Sequence, residues 1–169
     1  MDPAVHMTGA LDPRGGWVAE ECSISRALEV IGARSTLLIL REAFYGTTRF
    51  ADFASRAGLS EPVAAARLRE LLSDGLLELQ DYQDPGKRTR QDYRLTPKGA
   101  ELFPVLAALM QWGDRWLAES DGPVELRHRG CEQHVAVQLR CAAGHEVDSG
   151  ELDLASGASH QARSVPDAT

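Results

Sequence analysis

Apolar residues recur at helical spacing in five successive segments of the chain, each bounded by turn chemistry. Ser23 to Ile31 places Ile24, Ala27, Leu28 and Ile31 on one helix face, with Gly32 as the stop. Ser35 to Phe44 carries Leu37, Leu38, Ile39 and Leu40 in one run, which predicts a helix buried on most sides. Gly46 and two threonines close it, and Thr47–Phe50 reads as a short strand. Phe50, Phe53, Ala54 and Ala57 form a third stripe that Gly58 ends. Leu59 and Ser60 then stand as a hydrophobic residue followed by an N-cap, with Glu61 and Pro62 in the first turn. This fourth helix is expected to run to about Ser73 and stop at Gly75.

The period then changes. Leu76 to Leu79 is short and apolar, Asp84-Pro85-Gly86 is a turn, and Asp92 to Leu95 alternates polar with apolar residues. These features predict an antiparallel hairpin whose tip carries Lys87, Arg88 and Arg90. Thr96 caps a last helix with Pro97 at its first position. Leu102, Val105, Leu106, Leu109, Trp112 and Trp116 mark one continuous face of it over roughly five turns. The order of elements is that of a winged helix-turn-helix, a mainly α (α+β) fold with a long terminal helix. Residues 1–20, rich in Gly, Pro and Asp, read as a flexible arm from which Trp17 and Val18 can dock. The winged module spans 21–119, a small β-hairpin or ribbon appendage 120–156, and a disordered tail 157–169.

Charge sharpens this picture. The chain has 169 residues, 18 Lys+Arg against 25 Asp+Glu, and a net charge of −7, so total charge recruits no polyanion. Yet Gly86 to Lys98 contains Lys87, Arg88, Arg90, Arg94 and Lys98 against Asp92, a net of +4 on the predicted hairpin. A charge run of this kind is also the ordinary makeup of a solvated face. Hydrophobic content of 43% suffices for a core. The longest apolar run, Val105 to Met110, is far short of the ~18 residues that cross a bilayer. Residues 1–16 lack the pattern of a secretory signal, and three cysteines make no disulfide framework, so a soluble cytoplasmic protein is expected.

The fourth helix offers a surface for the cationic hairpin to complement. At about 100° per residue, Ala64, Leu68, Leu71 and Leu72 fall on the core side. Pro62, Val63, Ala66, Arg69 and Glu70 lie opposite, with Arg67 on the flank. Small outward residues let a helix settle deep in a major groove, where Val63 or Ala66 meets thymine methyl groups. Backbone N–H groups beside Ser60 and Glu61 favour a phosphate at that end. Alanine-rich composition also raises helix propensity in its own right, and the hairpin tips the balance towards DNA. Lys87, Arg88 and Arg90 can reach a phosphate backbone or minor groove, and Arg49 can clamp a phosphate before the third helix. Arg67 and Arg69 stand close enough to Glu70 and Asp74 for intrahelical pairs, yet Arg67 on the flank is the better placed of the two to contact DNA.

These residues together resemble the HxlR family of bacterial winged-helix transcription regulators. The resemblance rests on Cys22-Ser23-Ile24, Ala27-Leu28, Ile31-Gly32 and the run Thr36-Leu37-Leu38-Ile39-Leu40-Arg41-Glu42. It continues through Arg49-Phe50, Arg67-Leu68-Arg69-Glu70-Leu71, Asp74-Gly75-Leu76 and Tyr93-Arg94-Leu95-Thr96-Pro97-Lys98-Gly99. Val105-Leu106 and Trp112-Gly113 complete it, so that it covers residues 22 to about 118. It implies a homodimer built from the first and last helices and bound to a palindromic operator. Where the family pattern has Gly-Lys-Trp-Thr after Gly32, this chain reads Ala33-Arg34-Ser35-Thr36, which leaves space for a ligand at Ser35. Dimerisation has its own physical ground, since an amphipathic helix ending in Trp112 and Trp116 exposes more apolar surface than one small domain covers. The acidic tail folding back is the alternative cover.

Cys22 sits where the family commonly has an N-terminal cysteine, which in some members senses oxidants or electrophiles. A helix N-terminus favours the thiolate, whereas Glu20 and Glu21 oppose it, and a buried packing cysteine is the plainer reading. In the tail, Gln133 to Cys141 alternates, with Val135, Val137, Leu139 and Cys141 on one side, as in a strand or hairpin. Cys131, Cys141 and His145, with His128 and His134, are zinc-type ligands. The Cys-x-x-Cys pair of some relatives is replaced by Cys141-Ala142-Ala143-Gly144-His145, so a metal-free ribbon without cofactor is expected.

The leading function is therefore a homodimeric DNA-binding regulator, a repressor modulated by thiol modification at Cys22 or by a small aromatic effector near Trp17, Ser35, Trp112 and Trp116. The alternative is a winged-helix protein-interaction module that no longer binds DNA. No phosphate loop, nucleophile elbow or paired catalytic carboxylates supports an enzyme.

Overall fold

The structure is a computed structural model that describes residues 5–9, 22–83, 90–119 and 122–155. In chain order its elements begin with β1 (His6–Met7), α1 (Ser23–Ile31), α2 (Arg34–Phe44), α3 (Phe50–Arg56) and α4 (Glu61–Ser73). The strands β2 (Leu77–Tyr82) and β3 (Arg90–Leu95) follow, then α5 (Pro97–Ala100), α6 (Phe103–Trp116) and β4 (Asp153–Leu154). The chain divides into two compact units, one of residues 26–137 and one drawn from its ends, up to 25 and from 138 onward.

Within 26–137, α2 is the central helix. Ile39 and Leu40 are fully buried, and they meet Phe53 of α3 and Ala64, Leu68 and Leu71 of α4 in one core. The predicted inward stripe of α4 is thus in place, with Leu72 half-buried at its edge. Gly75 turns the chain out of α4 at φ +68, a left-handed conformation that a side chain strains. β2 pairs antiparallel with β3 from Leu77↔Leu95 to Tyr82↔Arg90. The ring of Tyr93 stands edge-on to Phe53 at 5.8 Å, which seats the hairpin on the core. Thr96 caps α5 by accepting from the Gly99 N–H at 3.0 Å, and its own hydroxyl donates to the Gly75 carbonyl at 2.7 Å. A Cβ at Gly99 would overlap the Leu76 carbonyl, so this close crossing requires glycine.

Three local expectations are corrected. Thr47–Phe50 is not a strand: Phe50 opens α3, and Thr48 contributes one strand-like bond, accepting from the Tyr93 N–H at 2.9 Å. The last helix is not continuous from Thr96, because it breaks at Glu101-Leu102 into α5 and the 14-residue α6. Pro104 is the cause, since it lacks an N–H and its ring would collide with the Ala100 carbonyl in an unbroken helix. Gln133 to Cys141 is not one extended strand either; isolated antiparallel bridges join Arg127 to His134 and Arg140 to Glu146, the second closing a tight hairpin turn in which the Cys141 N–H donates to the His145 carbonyl at 3.0 Å. The Gln111 side chain takes the backbone groups a partner strand would need. Its Nε2 donates to the Val135 carbonyl at 2.7 Å, and its Oε1 accepts from the Val137 N–H at 2.9 Å.

In the unit of chain ends, β1 runs parallel to β4 with His6 opposite Asp153 and Met7 opposite Leu154. The His6 and Thr8 N–H groups donate to the carbonyls of Leu152 and Leu154, each at 2.9 Å. The arm expected over residues 1–20 therefore contains a short strand. Asp148 and Glu151 form a capping box on the 3-10 turn Ser149–Glu151 that leads into β4. Trp17, Lys87, Arg88 and the predicted tail 157–169 lie outside the described residues.

Candidate nucleic-acid interface

The start of α4 projects outward. Ser60 holds the N-cap position with extended dihedrals, and its carbonyl accepts from the Ala64 N–H at 2.9 Å. Its hydroxyl makes no capping bond among the described residues, unlike the capping the sequence suggests. The first-turn N–H groups of a helix lack intrahelical partners, and Pro62 removes one of them at no cost. Glu61 and Pro62 are exposed, Val63 is 40% exposed and Ala66 half-buried. The outward surface of this turn is thus small and largely uncharged, as its sequence predicts, with one carboxylate at its entry.

The cations around it sort into committed and available groups. Arg67 pairs with Glu70 one turn on, and its Nε is buried without a partner among the described residues. Arg69 Nε donates to the Ala65 carbonyl at 3.3 Å. Arg94 is held by the buried Asp92 at 3.1 Å, and Lys98 donates to the Asp74 carbonyl at 2.7 Å. Two of the five cations between Gly86 and Lys98 thus serve the fold. Arg90 opens β3 in an exposed position. Arg49 is exposed at the N-terminus of α3, with its guanidinium 5.4 Å from the centre of the Tyr82 ring. Since Tyr82 is the register partner of Arg90, the structure brings Arg49 to the turn end of the hairpin that carries Arg90. Tyr82 was not singled out from sequence; its one signal is an aromatic at the strand end before the turn.

The other candidates are dispersed. Cys22 is half-buried and immediately precedes α1. Cys131 Sγ lies 3.2 Å from His128 Nδ1 on an exposed turn, and no group of three or more metal-type ligands occurs among the described residues. Nearby, the Arg127 guanidinium, by hydrogen bond and charge, holds the Glu125 carboxyl below its usual range. A cavity of about 330 Å³ lies between α2 and α6, walled by residues that include Leu37, Leu38, Arg41, Phe44, Phe103 and Met110. Ser35, Trp112 and Trp116, the expected pocket residues, are not among its walls. Helical phase separates the two tryptophans from it: Phe103, Leu106, Ala107 and Met110 turn towards α2, Leu109 reaches the edge of the cavity, and Val105, Trp112 and Trp116 continue as a stripe on the other side of α6. That stripe is open, with Trp112 56% and Trp116 64% exposed.

Helices α2 to α4, with a hairpin beside an outward helix, define a winged helix-turn-helix, the architecture of DNA-binding regulators. Residues 30–121 match the HxlR-like helix-turn-helix family, and the chain belongs to it. The uncharacterized HTH-type transcriptional regulator Rv3095 of Mycobacterium tuberculosis is 41% identical over 144 residues, covering 83% of this chain and 89% of that protein. The crystal structure of PA1607, a candidate transcription factor, superimposes with a TM-score of 0.67 and 37% identity, covering 76% of this chain and 90% of that one. The oxidized redox regulator HypR matches with a TM-score of 0.50 and 25% identity, over 56% of this chain and 96% of that one. The protein is a helix-turn-helix transcriptional regulator rather than an enzyme. Among the described residues, no helix is long and apolar enough to cross a membrane.

Proposed function

We propose that this regulator is a homodimeric, sequence-specific repressor that acts in the cytoplasm on a palindromic operator, with the domain over residues 21–119 making the DNA contacts. The observation that carries the reading is the outward start of α4, small and uncharged at Val63 and Ala66, together with a hairpin at whose turn end Arg49 and Arg90 gather. In this reading Val63 and Ala66 meet base edges in the major groove, and Glu61 accepts from a cytosine amine at the groove edge. Ser60 and Pro62 shape the helix entry against a phosphate, and Arg49, Lys87, Arg88 and Arg90 hold the backbone alongside. Arg67 reaches DNA by exchanging Glu70 for a phosphate.

The second copy docks through the exposed apolar stripes, Leu28 with Ile24 on α1 and Val105, Leu109, Trp112 and Trp116 on α6. A two-fold pair reads two half-sites about one helical turn apart, which supplies the affinity that one module lacks. Operator binding is modulated by an effector, through thiol modification at Cys22 or a small molecule. The likeness to the redox regulator HypR supports the thiol route. The test is a titration of duplexes from bound-fragment selection at two salt concentrations. Affinity that falls steeply with salt supports phosphate contact, and absence of any retained duplex favours a protein-interaction module instead.

A further inference from the structure

The cavity between α2 and α6 takes no part in the DNA-facing surface, yet it is built from three separate stretches of chain. α2 supplies Phe44 and Arg41, α6 supplies Phe103 and Met110, and Leu126 closes one side from the segment that follows. Phe44 and Phe103 meet edge-on at 5.1 Å, and the Gln111 clamp on Val135 and Val137 ties the closing segment to α6. An apolar cavity of about 150 Å³ takes up one benzene ring, so about 330 Å³ accommodates two fused rings.

Charge narrows the occupant further. Arg41 brings the guanidinium of the wall, and its Nε and Nη2 both donate to Glu42 Oε1, at 2.9 and 2.7 Å. Its charge is therefore balanced within the protein, which selects a neutral ligand whose hydroxyl or carbonyl meets the rim. A second copy is a poorer fit here, since Val105, Trp112 and Trp116 of the open stripe are not among the cavity's walls and only Leu109 of that stripe reaches its edge. We propose that the α2–α6 cavity binds a neutral two-ring aromatic molecule bearing one hydroxyl or carbonyl group, and that it is the effector site. The second half of this statement rests on the DNA-binding reading.

The route from cavity to DNA surface is short. Arg41 Nη2 also donates to the Arg56 carbonyl at the end of α3, at 3.3 Å. Thr47 joins Glu42 to Arg56, donating to Glu42 Oε2 at 3.4 Å and accepting from Arg56 Nη1 at 3.1 Å. A ligand acceptor at Arg41 competes with these bonds, and α2 itself packs on α4. The shift it produces is set by its difference in affinity for the two arrangements.

The test uses the full chain labelled with ¹³C-methyl methionine and titrated with 1-naphthol in the absence of DNA. The chain has three methionines, and Met110→Leu assigns the one in the cavity wall. The expected result is a saturable ring-current shift of the Met110 methyl at one naphthol per chain, with the Met1 and Met7 methyls unmoved. No saturable shift, or one that follows protein concentration instead of naphthol, overturns the site. Met110→Trp fills the space and is expected to weaken naphthol binding at least tenfold; unchanged affinity overturns the site as well. Should that variant fail to fold, the methyl titration of the wild type decides. Operator retention measured with and without naphthol tests the regulatory half, and unchanged retention refutes it. Because the naphthol titration needs no DNA, its failure is distinguishable from failure of the DNA reading.

Discussion

Replacing Trp112 by serine separates the assembly of the regulator from its folding. Trp112 lies on the open stripe of α6 and is 56% exposed within one chain. A tryptophan presents about 250 Å², so about 140 Å² awaits cover. At about 25 cal/mol per Å², covering it in both copies gives an upper bound of about 7 kcal/mol per dimer. Part of each ring stays wet at an interface rim, which brings the expected loss to about 2–4 kcal/mol, a 30- to 700-fold weaker dimer at about 1.4 kcal/mol per tenfold. The fold is expected to hold within about 0.5 kcal/mol, because the side chain is missing from the core. Sedimentation equilibrium across micromolar concentrations reads the first quantity and thermal unfolding the second. A dimer constant unchanged by Trp112→Ser, with the chain still folded, would show that this stripe is not the interface.

Three further outcomes are expected. Arg49→Ala and Arg90→Ala should each weaken binding to all duplexes alike and lower the salt slope by about one, as loss of a phosphate contact does; an effect confined to one operator contradicts that role. Val63→Glu should abolish selective retention in a footprinting assay while leaving thermal stability near wild type, and an unaltered footprint excludes this face as the reader. Cys22→Ser should keep operator affinity and remove any response to peroxide in a gel-shift assay; a response that persists places the sensing thiol elsewhere.

Much of this architecture was legible in the residues because its punctuation is local. Gly32, Gly58 and Gly75 stop helices, Ser60-Glu61-Pro62 starts one, and the inward phase of Ala64, Leu68 and Leu71 follows from the helical repeat. Pro104 carried the signal for the break after α5, but the apolar stripe from Leu102 to Trp116 masked it. The alternation from Gln133 to Cys141 misled for a different reason. A strand needs backbone partners as well as a pattern, and here a glutamine from α6 takes them. The site was legible in the same measure. The small face of α4 is a property of one helix, whereas the meeting of Arg49, Tyr82 and Arg90 joins three elements that no spacing rule connects. The cavity between α2 and α6 was not foreseen because tryptophans draw attention by size, while helical phase decides which side of α6 meets α2; Trp112 instead lines a shallow depression with Pro104, Val105, Ala108 and Leu109.

The pairing of His6–Met7 with Asp153–Leu154 makes the two termini mutually dependent. Clipping the last twenty residues strips the first strand of its only ladder partner among the described residues, and trimming the first eight does the same to the last. A tag appended at one terminus loads both. Ladder amides of Thr8 and His6 should therefore lose exchange protection when proteolysis removes a stretch more than 140 positions away in the chain.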